Sequence, residues 1–167
     1  NLKFLHIAPE YCFIKLFKNM KNIDYTTGDL ISPWADVMMD VHDIPFNENS
    51  FDVVICNHVL EHVDDSQKVM TEFYRVMKPG GWGIFQVPID NQNPLTIEDK
   101  SVVNPKEREK LYWQSDHLRL FGRDYGDRLA AAGFKVTESD FINEIDPKLV
   151  ERYALPKNEL VYYCEKI

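Results

Sequence analysis

Several places in this 167-residue chain carry side chains whose types and spacing could do chemistry. His6-Ile7-Ala8-Pro9-Glu10 sets an imidazole and a carboxylate four residues apart, with a small residue and a proline between them. Asp29, followed by Leu30, and the stretch Asp40-Val41-His42-Asp43 put carboxylates at the ends of two apolar runs. Asn57-His58-Val59-Leu60-Glu61-His62 follows a further run, and Tyr112 and His117 lie in or beside a long polar segment. Carboxylates converging on one sheet edge suit a ligand with vicinal hydroxyls, an amine and a positive centre, because each accepts hydrogen bonds and offsets a cation. A single aspartate also reads as a turn residue. Joint placement at successive strand ends is what points to a site.

His58-x-x-Glu61-His62 also spells H-x-x-E-H, in which two histidines on one helix face hold zinc and the glutamate serves as base. That chemistry needs a helix through all five residues. FDVVICN, directly before them, reads as strand, and no third ligand stands out in a helical context downstream. Zinc hydrolysis is therefore kept as an alternative, and no metal is expected.

The elements that must position these groups alternate between strand and helix. Leu2–Ile7, Asn22–Thr27, Asp36–Val41, Phe51–Cys56 and Trp82–Val87 read as strands, FDVVIC being continuous enough for a central strand covered on both faces. Tyr11–Met20 and Asp65–Met77 carry apolar residues at helical spacing, and Asp64 and Asp65 suit the second helix's N-terminus. Pro79-Gly80-Gly81 is expected to stop that helix. Between strands two and three there is no room for a full helix. Asp90–Asp116 is too long for a simple connector. A helix over Arg123–Ala132 and strands at Phe134–Thr137 and Leu160–Glu165 complete an α/β sheet layered by helices, whose ligands bind beyond the strands' carboxyl ends.

A chain of this length reads as a single domain over 1–167. Its net charge of −8 argues against a broad phosphate-binding face, so nucleic acid is not an expected partner. No apolar run approaches the ~18 residues of a membrane span, and no signal peptide is visible. Cys12, Cys56 and Cys164 are odd in number and far apart, which fits free thiols in a reducing cytoplasm.

The stretch DVHDIPFNENSFDVVICNHVLEHVDD, with MTEFYRVMKPGGWGIFQVP after it, resembles the type 11 group of class I methyltransferases that use S-adenosylmethionine (SAM). The likeness is close over 36–88 and looser over 1–35 and 122–167. It implies a three-layer, Rossmann-like, seven-stranded mixed sheet of order 3-2-1-4-5-7-6, ending in an antiparallel hairpin. It also implies methyl transfer from SAM to a small-molecule acceptor, leaving S-adenosylhomocysteine.

The resemblance carries roles onto particular positions. Asp29, with Leu30 beside it, falls where an acidic residue takes both ribose hydroxyls. Asp40 falls where the adenine amino group is accepted, with Val41 and His42 along the ring, and Asn57 and His58 pass the methionine part. The group's first motif, D-x-G-x-G, is replaced by His6, Ala8 and Glu10, with Pro9 suited to a helix's first position. Glu10 is expected to supply the carboxylate missing at position 6. Its alternative role is a helix N-terminal glutamate.

Should the acceptor have to lose a proton, His62, His117 and Tyr112 are the candidate bases. The structural alternative pairs Arg119 with Asp124 and leaves His117 hydrogen-bonded and inert. Tyr112-Trp113 reads either as an acceptor wall or as core, and Trp34 either as an adenine cover or as packing. The chain begins one residue before strand one, so the lid helix common in such proteins is expected to be absent. That would leave an open site on a monomer or homodimer. The altered first motif keeps a second class open, a SAM-binding domain without catalysis.

Overall fold

Strand–helix alternation is borne out in a computed structural model that describes residues 1–156 and 158–167. The elements run β1 (Leu2–Ile7), α1 (Tyr11–Lys18), β2 (Ile23–Asp29), β3 (Val37–Met38), β4 (Phe51–Asn57), α2 (Ser66–Val76) and β5 (Met77–Gln86). Then come β6 (Ile97–Glu98), α3 (Pro105–Tyr112), β7 (Arg119–Leu120), α4 (Tyr125–Ala131), β8 (Lys135–Ser139), α5 (Pro147–Arg152) and β9 (Val161–Glu165). Seven strands form one sheet in the order β3-β2-β1-β4-β5-β9-β8. Counting only these seven, the order is the expected 3-2-1-4-5-7-6. The first five are parallel, and β9 runs antiparallel to both β5 and β8.

Side chains alternate across the strands, so each face has its own partners. Leu5, Ile7, Val54, Cys56 and Phe85 point to a core shared with Val69, Met70 and Phe73 of α2 and Leu129 of α4. Burying a side chain of this size contributes about 1.5–3 kcal/mol, so this face holds most of the fold's stability. Phe4, His6 and Tyr25 face the other way and meet Phe17 of α1, with Phe4 and Phe17 edge to face at 4.9 Å. This third layer is thin. No residue of α1 is buried, and Leu16 is 51% exposed.

Two expectations are corrected. The third strand is two residues, not Asp36–Val41. Asp36 instead ties the chain down, accepting from Thr27 N and Thr27 Oγ1, and Asp40 to His42 fall in the turn beyond. Pro79-Gly80-Gly81 does not stop α2, which ends at Val76. Gly80, at φ 78°, turns the chain inside β5, where the register with β4 shifts. Asp65 does cap α2, accepting from Lys68 N at 3.0 Å.

The long polar stretch carries its own structure, with β6 pairing antiparallel with β7. Lys106–Lys110 lies on α3, mostly exposed. Cys56 and Cys164 are buried free thiols, and Cys12 is an exposed one. Among the described residues, no helix is long and apolar enough to cross a membrane.

Candidate functional site

The first turn is built around a buried histidine. His6 is wholly buried at the end of β1, where Nδ1 lies 2.8 Å from the Tyr25 hydroxyl and Nε2 lies 2.8 Å from Glu10 Oε2. A neutral ring satisfies all three groups: Tyr25 donates to Nδ1, and Nε2–H donates to the carboxylate. Burial agrees, holding the His6 pKa below its ordinary value and raising that of Tyr25. Glu10 Oε1 accepts from Asn57 Nδ2 at 2.8 Å, which joins the ends of β1 and β4. Asn57 Oδ1 is buried and has no donor among the described residues. His6 therefore orients Glu10 and does not itself face a ligand, a correction to its expected contact role.

The turn itself falls on Ala8, in the left-handed region at φ 47°. Its N–H still continues the sheet ladder to Gly28 O at 2.8 Å. Glu10 is the N-cap of α1, so Pro9 precedes the helix and is not its first residue.

Beyond Ala8 opens a cavity of about 330 Å³ whose lining includes Asp29, Leu30, Asp40, Val41, His42 and His62. Asp29 Oδ1 accepts from Ile31 N at 2.8 Å and Ser32 N at 2.7 Å. Both bonds of that turn fall on one oxygen and leave Oδ2 out of it. Asp40 Oδ1 accepts from His42 N at 2.9 Å and binds His42 Nδ1 at 2.7 Å. These bonds, the backbone one first, hold the Asp40 carboxyl below the usual carboxylate range. Gly28, just before Asp29, packs closely behind it, since a Cβ there would run into the Met39 side chain.

A second cavity, of about 460 Å³, lies against the ends of β4 and β5 and includes His58, Val87, Pro88, Trp113, Leu160 and Tyr162 in its lining. Residues 58–62 thus run between the two, His58 facing one and His62 the other. Of the two readings left open for Trp113, the structure places it, at φ 70°, in this wall, whereas Trp34 is 69% exposed and lines neither cavity.

Residues 58–65 are loop, not helix, and His58 adopts φ 55°. The two histidines therefore do not share a helix face, which removes the zinc-hydrolase arrangement. His58 Nδ1 lies 3.4 Å from Glu61 Oε1, and Glu61 raises its pKa. His62 and His117 meet ring to ring at 4.8 Å, and His117 Nδ1 lies 2.8 Å from Tyr112 O. Tyr112 is fully buried and its hydroxyl accepts from Asp99 N at 3.1 Å, so the structure does not bring it to either cavity.

Arg119 is the residue sequence reasoning missed. Fully buried, it donates to Leu60 O at 2.6 Å, Val63 O at 2.5 Å and Asp64 O at 3.1 Å, and to Glu98 Oε1 at 2.9 Å. It clasps the 60–64 loop, and the expected Arg119–Asp124 pair does not form. Asp124 instead binds Arg128 Nε at 2.8 Å. The only signal in the sequence is an arginine inside an apolar run, which does not name its partner.

Known proteins share this arrangement. Residues 13–85 match the family model described as "Methyltransferase domain". A ubiquinone/menaquinone biosynthesis C-methyltransferase from Desulfotalea psychrophila is 45% identical over 42 residues, which are 25% of this chain and 17% of that protein. The chain spans at most 27% of the length of the first curated relatives it matches. A solved 1,6-didemethyltoxoflavin-N1-methyltransferase from Burkholderia thailandensis superposes with a TM-score of 0.66 at 14% identity, over 99% of this chain and 71% of that one. A structure described as the [4+2]-cyclase SpnF does so at 0.65 and 14% identity, over 100% and 76%. The fold is that of the solved methyltransferase structures on which the chain superposes. Over residues 13–85 the chain is similar to the type 11 methyltransferase group.

Proposed function

We propose that the chain binds SAM along the carboxyl ends of β1 to β4 and transfers its methyl group to a small-molecule acceptor. The observation that carries this reading is Asn57 Oδ1, a buried acceptor with no donor among the described residues, beside Glu10, where an ammonium group would satisfy both. The oxygen of Asp29 left out of its turn supports the same ligand.

When bound, SAM supplies a methyl on a positively charged sulfur. Asp29 Oδ2 accepts the ribose hydroxyls, with Oδ1 held in its own turn. Asp40, kept ionised by His42, takes the adenine amino group, with Val41 and Leu30 against the ring. Glu10, fixed by His6 and Asn57, offsets the ammonium. In-line displacement asks mainly for positioning, and the cavity beside His58 and Trp113 offers the acceptor a place beyond the methionine end. His62, on the lining of the smaller cavity, is the base at hand for an acceptor that must lose a proton, whereas His117 is buried and lines neither cavity.

A second reading is a SAM-binding domain without methyl transfer. The cyclase among the neighbours of this fold favours keeping it, as does a first-turn carboxylate whose two oxygens are both already engaged. Equilibrium dialysis with radiolabelled SAM tests the shared claim. Saturable one-site binding is the expected result, and absence of binding contradicts both readings. Release of S-adenosylhomocysteine on adding candidate acceptors then separates them.

A further inference from the structure

Glu61 is nearly inaccessible, 1% exposed; among the described residues His58 Nδ1 lies 3.4 Å from Oε1 without a well-formed hydrogen bond, and Oε2 has no donor. A buried carboxylate left so is costly, and a cation is the usual remedy. Two further ligand-type groups converge on it. One ligand atom each from Glu61, His62 and His117 lie within 4.8 Å of one another. His117 is 4% exposed, and its Nδ1 is bonded to the Tyr112 carbonyl, so its proton sits on Nδ1 and Nε2 keeps a free lone pair. That is how proteins fix a histidine for a metal. His62, with Nδ1 3.4 Å from the Asp116 carboxylate, has an acidic neighbour of the same kind.

We propose that Glu61, His62 and His117 form a binding site for a divalent transition-metal ion of zinc-like softness. Two imidazoles and one carboxylate suit such an ion and leave at least one coordination position open. Bonds of about 2.0–2.1 Å to three such ligands put the ligand atoms about 3.3 Å apart, so the side chains close by an ångström or so when the ion enters. His62 lines the smaller cavity and is the most exposed of the three, which makes its side the route of entry. The backbone is already braced for this: Leu118 N donates to Glu61 O at 2.8 Å, and Arg119 clasps the carbonyls on either side. The ion would pin the loop between the two cavities to the 116–121 segment, with its open position available to water or to an acceptor oxygen. Histidines absent from a shared helix meet here through tertiary contact, so the ligand set differs from that of the H-x-x-E-H motif.

The test is a titration of the metal-free protein with zinc, and separately with cobalt(II), in the absence of SAM and acceptor. Its outcome is thereby independent of the methyl-transfer reading. One saturable equivalent is expected, with a visible cobalt spectrum of nitrogen and oxygen ligation and a metal-dependent rise in Tm. Glu61→Gln and His117→Ala should each weaken binding at least tenfold, while Cys12→Ser, at the exposed thiol of α1, leaves it unchanged. The spectrum and the Tm shift are read on the unaltered protein, so a variant that fails to fold does not remove the test. No saturable binding, or binding that survives both Glu61→Gln and His117→Ala, overturns the proposal.

Discussion

Asn57 reaches across the ends of β4 and β1 to donate to Glu10, Nδ2 to Oε1 at 2.8 Å, while His6 holds the other oxygen of the same carboxylate at 2.8 Å. The first turn therefore carries a hydrogen-bonded relay. Tyr25 orients His6, His6 orients Glu10, and Asn57 fixes it from the neighbouring strand. The carboxylate is delivered from the start of α1 instead of the end of β1.

That relay makes stability depend on pH. His6 is buried neutral, so its folded pKa lies below its unfolded value of about 6.5. The folded state binds fewer protons there. Stability from His6 is complete above about pH 6.5 and is lost as pH falls through that value towards the folded pKa, with a slope of at most about 1.4 kcal/mol per pH unit. His58, whose pKa is raised by Glu61, acts in the opposite sense, its contribution fading as pH rises through its folded pKa. Urea unfolding of His6→Gln against the parent protein isolates the first effect. The variant should show a flatter loss between about pH 7 and 5, and coincident profiles contradict the neutral buried ring.

Ala8 sits at φ 47° where the resembled motif has glycine. A left-handed alanine costs about 1 kcal/mol, which glycine does not incur. Ala8→Gly is expected to raise Tm by about 2–4 °C, and Ala8→Val to lower it. Calorimetric scans check both. A glycine variant less stable than the parent would mean the turn is not strained.

Arg119→Met keeps bulk and removes four hydrogen bonds, leaving the carbonyls of Leu60, Val63 and Asp64 without their donor. Loss of about 3 kcal/mol in denaturant unfolding is expected. Arg119→Lys should recover little of it, because one ammonium cannot span the fork of acceptors. Full rescue by lysine would show that charge alone matters.

The strand–helix alternation, the strand-end carboxylates and the cap at Asp65 were legible because they rest on local pattern, apolar runs and turn residues, whereas the sheet order came from the family resemblance. Asp29, Leu30, Asp40, Val41, His42 and Ala8 all came to one cavity for that reason. What pattern did not carry was tertiary pairing. Tyr25 meets His6 only through the register of β1 on β2, and Arg119 finds the loop at 60–64 only once β6 and β7 have paired. Tyr112 looked like a base by type and position, yet burial and its bond from Asp99 N turn it into support. His117 supplies beside Glu61 and His62 the third ligand that sequence spacing does not reveal.

Binding of S-adenosylhomocysteine to the parent protein and to Asp29→Asn, measured by calorimetry, tests the central claim most directly. Asparagine keeps an oxygen for the turn to Ile31 N and Ser32 N, so the loop survives, but it removes the charge and the second acceptor. Saturable one-to-one binding is predicted for the parent, weakened roughly 10–100-fold in the variant, as the loss of a charged hydrogen bond implies. Equal affinity in the two proteins, or no binding to the parent, would contradict the account.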